Sequence, residues 1–205
     1  MSDVSVSGFT IRGFKIKGKG GSKPRVIDVF GARNATVVGN RAIGNVAGGI
    51  AVFRSVNTTV AKNHVIGSPE TISDGFLVEL SSRTTVVKNV VRNIPEEFEN
   101  GIQVVEGIDT TIAGNDLIGT FSGVFLENST GTKVLSNDIS RSRDSGILIF
   151  GRNHADVKVV GNNISGGPWG IFIVDTTYRG STDRCKTVGS PAGLCSTPTL
   201  SCNER

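Results

Sequence analysis

Apolar and polar residues alternate in short bursts along most of this chain, and the bursts recur. Residues 101–117, GIQVVEGIDTTIAGNDL, carry the clearest set. Ile102 and Val104 alternate with Gln103 and Val105, the period of a strand. A turn follows at 106–107. Thr110 and Ile112 then alternate with Thr111 and Ala113 as a second strand. Asn115 turns the chain, and Leu117 opens a third. The same register fits residues 49–65, 75–91, 123–139 and 146–164; residues 26–42 precede the set, and 170–174 begin another copy. The leading apolar positions are Ile27, Ile50, Phe76, Ile102, Val124, Ile147 and Ile171, at steps of 23, 26, 26, 22, 23 and 24. A second marker is Asn40, Asn63, Asn89, Asn115, Asn137 and Asn162. Repeats at such a period predict a stacked array.

The array must be a coil. A flat sandwich needs tight Asn-Gly or Asp-Gly hairpin turns, and these do not separate the strands. A βαβ crossover needs a helix of about 10 residues, and no segment has that period. Three strands per repeat, stacked at ~4.8 Å on their own copies, then run in parallel register. The Ile27 file and its partners two residues on point inward. Val37, Val60, Val86, Ile112, Val134 and Val159 fill a second wall. Ala42, Val65, Val91, Leu117, Ile139 and Ile164 fill a third. The Asn file points into a corner, its amides bonding one another and the turn backbone, because buried polar groups must be paired. Thr58, Thr84, Thr110 and Thr132 form a similar inward file. The Gly before each first strand is expected to supply unusual backbone dihedrals.

The pattern G-[IVF]-x-[VIL] … [VI]-x-x-N-x-[VIL], over about residues 4–174, resembles the right-handed parallel β-helix repeat. That repeat is found in pectate-lyase-like proteins and in the carbohydrate-binding and sugar-hydrolase domain family, including periplasmic copper-pathway β-helix proteins. The resemblance implies an all-β, single-stranded right-handed parallel β-helix of about six to seven coils with an irregular C-terminal tail. Residues 1–25 are expected to form a partial coil and loop, 26–175 the solenoid, and 176–205 the tail. The resemblance also implies a polysaccharide partner and lyase, hydrolase or epimerase chemistry. The catalytic motifs of pectate lyases (R-x-P-x-x-R), polygalacturonases (N-T-D, G-H-G, R-I-K) and alginate epimerases (D-P-H) do not occur. A non-catalytic surface or tail-fibre module, trimeric in form, is the alternative.

Composition narrows this further. No apolar run reaches about 18 residues, so no membrane span is expected. Net charge is +4, with Lys15, Lys17, Lys19, Lys23 and Arg25 near the start. That cluster lacks interleaved aromatics, which argues against a nucleic-acid partner. Residues 1–21 carry no apolar leader core, so a fragment or a chain whose leader was removed is expected. Cys185, Cys195 and Cys202 all fall in the tail; they suggest an oxidising compartment and leave the disulfide pairing open. An extracellular or periplasmic location follows. His64 and His154 each stand beside an Asn and are expected as surface turn residues. Trp169 is expected to close the end of the bore.

A bore filled with aliphatics performs no chemistry, so function is expected on the outside. The outward positions of the first strand are unusually apolar, and such a face implies a homo-oligomer, a covering segment or a groove. Between its apolar ends lie Arg54, Glu79, Gln103, Glu106, Glu127 and Asn128. Long loops at 67–74 and 92–100 add Glu70, Asp74, Glu96, Glu97 and Glu99. Glu79, Glu106, Glu127 and Arg54 are the candidate catalytic residues. Glu79 and Glu127 fall two coils apart in one file, and their side chains can reach the ~6.5–9.5 Å separation of an inverting glycosidase. Arg54 could hold a uronate carboxylate bidentately. No other cofactor is expected; if calcium binds, Asp74, Glu79 and Glu106 are its candidate ligands.

Overall fold

A computed structural model describes residues 5–7, 10–12, 25–45, 48–68, 73–94, 98–152, 154–174, 179–181 and 187–188. Every regular element among them is a β-strand, and every pairing is parallel. The chain winds as a right-handed solenoid with three walls. Wall one has seven strands: Arg25–Phe30, Gly48–Phe53, Phe76–Glu79, Ile102–Val105, Val124–Glu127, Ser145–Phe150 and Trp169–Val174. Wall two runs through Thr36–Val38, Thr85–Val87 and Lys133–Leu135 among its eight strands, and wall three through Arg41–Asn45, Val90–Arg92 and Asp138–Ser140 among its eight. Ser5–Ser7 and Thr10–Arg12 begin walls two and three. Arg179–Ser181 and Thr187–Val188, from the segment expected to be a tail, extend the same two walls at the other end.

The expected files stand in register. Ile27, Ile50, Phe76, Ile102, Val124, Ile147 and Ile171 are successive partners along wall one. Val37 to Val159 do the same in wall two, and Ala42 to Ile164 in wall three. Together they form one continuous apolar core. Each fully buried aliphatic side chain contributes about 1.5–3 kcal/mol.

Three polar files accompany this core and behave differently. In the corner between walls two and three, Asn40, Asn63, Asn89, Asn115 and Asn137 each donate Nδ2–H to the Oδ1 of the next coil's Asn, at 2.8–3.1 Å. Each Oδ1 also accepts the backbone N–H of the preceding coil's Asn at 2.9 Å. A second file lies in the corner between walls one and two. There Ser55 Oγ accepts from Ala32 N–H, Ser81 Oγ from Ser55 N–H, and Ser129 Oγ from Gly107 N–H. His154 ends that file. It is 1% exposed, not a surface turn residue as its sequence context suggested. Its Nε2–H donates to the Phe150 carbonyl at 2.8 Å, and its Nδ1 lies 3.1 Å from the Ser129 carbonyl. The third file is Thr58, Thr84, Thr110 and Thr132. These side chains are fully buried, but their hydroxyls have no hydrogen-bond partner.

The glycines before the wall-one strands serve a different purpose from the one expected. None of Gly49, Gly75, Gly101, Gly123 and Gly146 is in the left-handed region. A Cβ at Gly75, Gly101, Gly123 or Gly146 would instead lie 2.6–2.7 Å from a carbonyl oxygen of the next coil. At Gly75 it would also strike Val91 of wall three at 2.6 Å. Only a hydrogen fits where the branched wall-three residue fills the corner. The left-handed residues sit at the turns and align from coil to coil: Arg54, Leu80, Glu106 and Asn128 in one file, Asn34, Asn57, Arg83 and Asp109 in the next, Lys62 and Lys88 in a third.

The polar files yield opposite predictions for two inward substitutions. Asn115→Ala strands the Asn89 amide groups and should cost about 3–5 kcal/mol, since each buried group left unpaired costs about 1–3. Thr84→Val removes an unpaired buried hydroxyl and should leave stability unchanged or raise it by about 1 kcal/mol. Urea midpoints at unchanged slope test both, and a destabilised Thr84→Val would show that the hydroxyl is paired.

Candidate functional site

The outward side of wall one holds two files, both in the expected order. One is Asp28, Ala51, Leu77, Gln103, Phe125, Leu148 and Phe172; the other is Phe30, Phe53, Glu79, Val105, Glu127, Phe150 and Val174. Glu79 and Glu127 therefore flank Val105 two strands apart, about 10 Å at the backbone. Both are half-buried. Arg54 and Glu106 are the left-handed residues that follow Phe53 and Val105. The structure thus gathers Arg54, Glu79, Glu106 and Glu127 along the C-terminal edge of wall one. Short strands and tight turns hold them there, so their spacing is set by the sheet rather than by a loop.

Asp74 is placed elsewhere. It precedes Phe76 at the opposite end of the strand, five residues and roughly 16 Å of extended chain from Glu79. The calcium set of Asp74, Glu79 and Glu106 is therefore not brought together. Asp74 is 2% exposed and already engaged. Its Oδ1 accepts the Asn100 N–H at 2.8 Å, and its Oδ2 lies 3.4 Å from Arg25 Nη2. With its amide nitrogen turned toward Asp74, Gln103 donates to both carboxylate oxygens at 3.1 and 2.8 Å. Glu99 is also buried, while Glu70, Glu96 and Glu97 lie outside the described residues.

The apolar outer face divides into two regions. Ala51 and Leu77 point away from the bore yet are 0% and 7% exposed, so this chain covers its own outer face there. Beyond the carboxylates the face is aromatic and partly exposed, most at Phe150. Phe125 stacks with Phe150 at 6.2 Å, and Trp169 stacks with Phe172 at 5.3 Å. Trp169 is half-buried and stacks on the outward, half-buried Phe172 instead of closing the bore.

An open groove of about 920 Å³ borders the carboxylate edge, at the turn between walls one and two. Leu80, Glu106, Ile108, Asn128, Phe150 and Arg152 are among its lining residues. A second cleft, of about 260 Å³, lies on the same turn among Arg33, Asn34, Val56, Asn57 and Arg83. The sequence reading passed over Arg33, Arg83 and Arg152. They stand at different offsets in their repeats, so no period marks them; only the positive φ of Arg54 and Arg83 reveals a shared turn.

Parallel register in all three walls and a filled bore make this a right-handed parallel β-helix protein. The chain belongs to the NosD family: the model described as periplasmic copper-binding protein (NosD) matches residues 33–183. Among solved structures it is similar to the periplasmic alginate epimerase AlgG, at a TM-score of 0.61 and 19% identity, over 73% of this chain and 35% of the epimerase. It also aligns with the catalytic unit of a GH87 alpha-1,3-glucanase from Streptomyces thermodiastaticus strain HF3-3, at a TM-score of 0.46 and 12% identity, over 96% and 50% of the two chains. The chain spans about a third of the epimerase's length. A comparison with curated proteins finds no match.

The family description raises copper, which favours imidazole and sulfur ligands. Both His154 nitrogens are held against backbone groups in the bore corner. His64 Nδ1 lies 3.4 Å from Arg41 Nη1 on wall three. Met1 and the three cysteines lie outside the described residues. Among the described residues no three His, Cys, Asp or Glu side chains converge. The described residues do not fit a copper site.

One titration is tied to this face. Asp28 is exposed as a residue, yet partial desolvation of its carboxyl pushes it above the ordinary aspartate value, against the lowering pull of Arg25. A raised folded-state pKa means that the folded chain holds the proton more tightly than the unfolded one. Asp28 then favours folding below the unfolded value, and that contribution is lost as pH rises through the folded value. Asp28→Asn should flatten the fall in denaturation midpoint across that window; an unchanged profile would rule the shift out.

Proposed function

We propose that this chain binds and processes a polysaccharide along the C-terminal edge of wall one. The observation that carries the reading is the pairing of Glu79 and Glu127 in one outward file, with Glu106 and Arg54 beside them. Acid–base chemistry on a glycosidic bond needs two carboxyls held apart by a fixed distance. From a backbone separation of about 10 Å, modest leaning of the side chains reaches the ~6.5–9.5 Å of an inverting enzyme. One carboxyl then protonates the leaving oxygen while the other takes a proton from the attacking water. The aromatic pair Phe125 and Phe150 offers flat apolar surface beside Glu127 for the C–H face of a sugar ring. The family description and the epimerase likeness support a periplasmic or extracellular location and a carbohydrate partner.

A panel of polysaccharides, with and without calcium, tests this reading. Glu79→Gln and Glu127→Gln should each lower turnover by about 100-fold or more on whichever substrate the parent processes. Full activity in both variants would remove the assignment.

A second reading rests on the exposed residues of the same face. Phe30, Phe150 and Val174 are 70%, 44% and 43% exposed in one file. A non-catalytic structural or adhesion module would cover this file with another copy, as a trimer does. Light scattering across a concentration series should then show a trimer that Phe150→Ser disperses. A monomer at every concentration would leave the polysaccharide reading alone.

A further inference from the structure

We propose that the polysaccharide is acidic, and that it lies in the trough between walls one and two with its carboxylates on Arg33, Arg54 and Arg83. The inference rests on the polysaccharide reading and names its substrate class and track. The trough is built by three files that run along the solenoid axis. Its floor is a parallel bridge file through Arg33, Val56, Ser82, Ile108 and Thr130. One rim is the left-handed file of Arg54, Leu80, Glu106 and Asn128; the other is that of Asn34, Asn57, Arg83 and Asp109. Clefts of about 920 and 260 Å³ open on this turn: Arg33 and Arg83 line the smaller, Leu80 and Glu106 the larger, and Arg54 stands beside them on the rim file that continues to Leu80. Successive coils advance ~4.8 Å, a step comparable to one pyranose unit, so an extended glycan lying along the axis meets similar positions coil after coil.

Charge then selects the ligand. Arg33, Arg54 and Arg83 come from three successive coils, and all three are exposed. Among the described residues no carboxylate pairs with any of them, whereas Arg25 and Arg92 are paired with Asp74 and Asp116. A planar guanidinium matches a carboxylate bidentately. Three such groups along a groove suit a polymer with one carboxylate per sugar. Further along, Leu80 and Ile108 are 43% and 53% exposed and present apolar surface to ring C–H faces. Glu106 lies beyond the arginines on the same rim, next to the Glu79–Glu127 file, so a chain anchored on the arginines passes the carboxyls proposed to act on it. A single-stranded nucleic acid fits less well. Such strands need a run of aromatic platforms, and the cleft that holds Arg33 and Arg83 is lined otherwise by Asn34, Val56 and Asn57.

Calorimetric titration with polyuronate oligomers, an uncharged oligosaccharide of equal length and a single-stranded oligonucleotide tests the proposal. The wild type should bind the polyuronate alone or most tightly, and more weakly as salt is raised. Arg33→Gln, Arg54→Gln and Arg83→Gln should each weaken that binding roughly tenfold, the loss of one charge-assisted contact. The triple variant should lose it, with the circular dichroism spectrum and melting midpoint unchanged; should the triple variant unfold, Arg83→Gln alone decides. Equal binding of the uncharged sugar or the oligonucleotide overturns the proposal, as does undiminished binding by the arginine variants or no binding of any probe. Undiminished polyuronate binding by the variants, with turnover abolished by Glu79→Gln, would overturn the trough and keep the carboxylate site. Weakened binding with turnover untouched by Glu79→Gln and Glu127→Gln would do the reverse.

Discussion

A single coil of this chain has no inside. Its three short strands enclose one layer of side chains, and that layer is buried only when another coil lies above and below it. Stacking like on like is therefore the constraint on which everything else depends. It places Ile102 between Phe76 and Val124, so each rung must fit two neighbours at once. It also turns every backbone N–H and C=O of the walls toward the next coil, where a parallel strand satisfies it. A side chain that suits this geometry in one coil suits it in the next, which is why identical residues accumulate in files.

Files are not equivalent merely because they are aligned. The Asn amide both donates and accepts, so stacking at one coil's spacing pairs each side chain with its neighbour and with the turn backbone. A Thr hydroxyl is too short to span the same step, and the buried Thr file carries unpaired oxygens. The glycines of the wall-one corner are set by a third requirement. Close approach of the next carbonyl leaves no room for a Cβ, and the dihedral freedom of glycine is not used there. Backbone freedom is used at the turns, where many left-handed positions carry Asn, Lys, Arg or Glu.

Those turns place the chemistry on the outside. Left-handed backbone at the end of wall one carries Arg54, Leu80, Glu106 and Asn128 away from the bore, and the last three line the larger groove. The half-buried Glu79 and Glu127 lie immediately inside that rim. The opposite end of the wall-one strands is closed instead: Asp74 is held by Arg25, Asn100 and Gln103, and the nearby outward Ala51 and Leu77 are buried. One sheet thus has a sealed edge and an open one, and the candidate site belongs to the open edge.

Local periodicity was enough to determine the coil. Alternation in 101–117 and its copies specifies three strands, and the recurrence of Ile, Asn and Gly at matching offsets specifies their parallel stacking. Neighbours in a file are related by the repeat itself, so the Glu79–Glu127 file was legible without coordinates. Contacts outside the repeat were not. Asp74 looked like a loop carboxylate free to bind a cation, yet Arg25, 49 residues away, and Gln103 of the next coil hold it. His154 looked like a surface turn and closes a buried serine file. Arg33, Arg54 and Arg83 share no repeat offset, and only the winding of the chain sets them on one turn between walls one and two. Period encodes what recurs with every turn; burial, partners across the corners and grooves between files depend on three-dimensional distances that no single repeat contains.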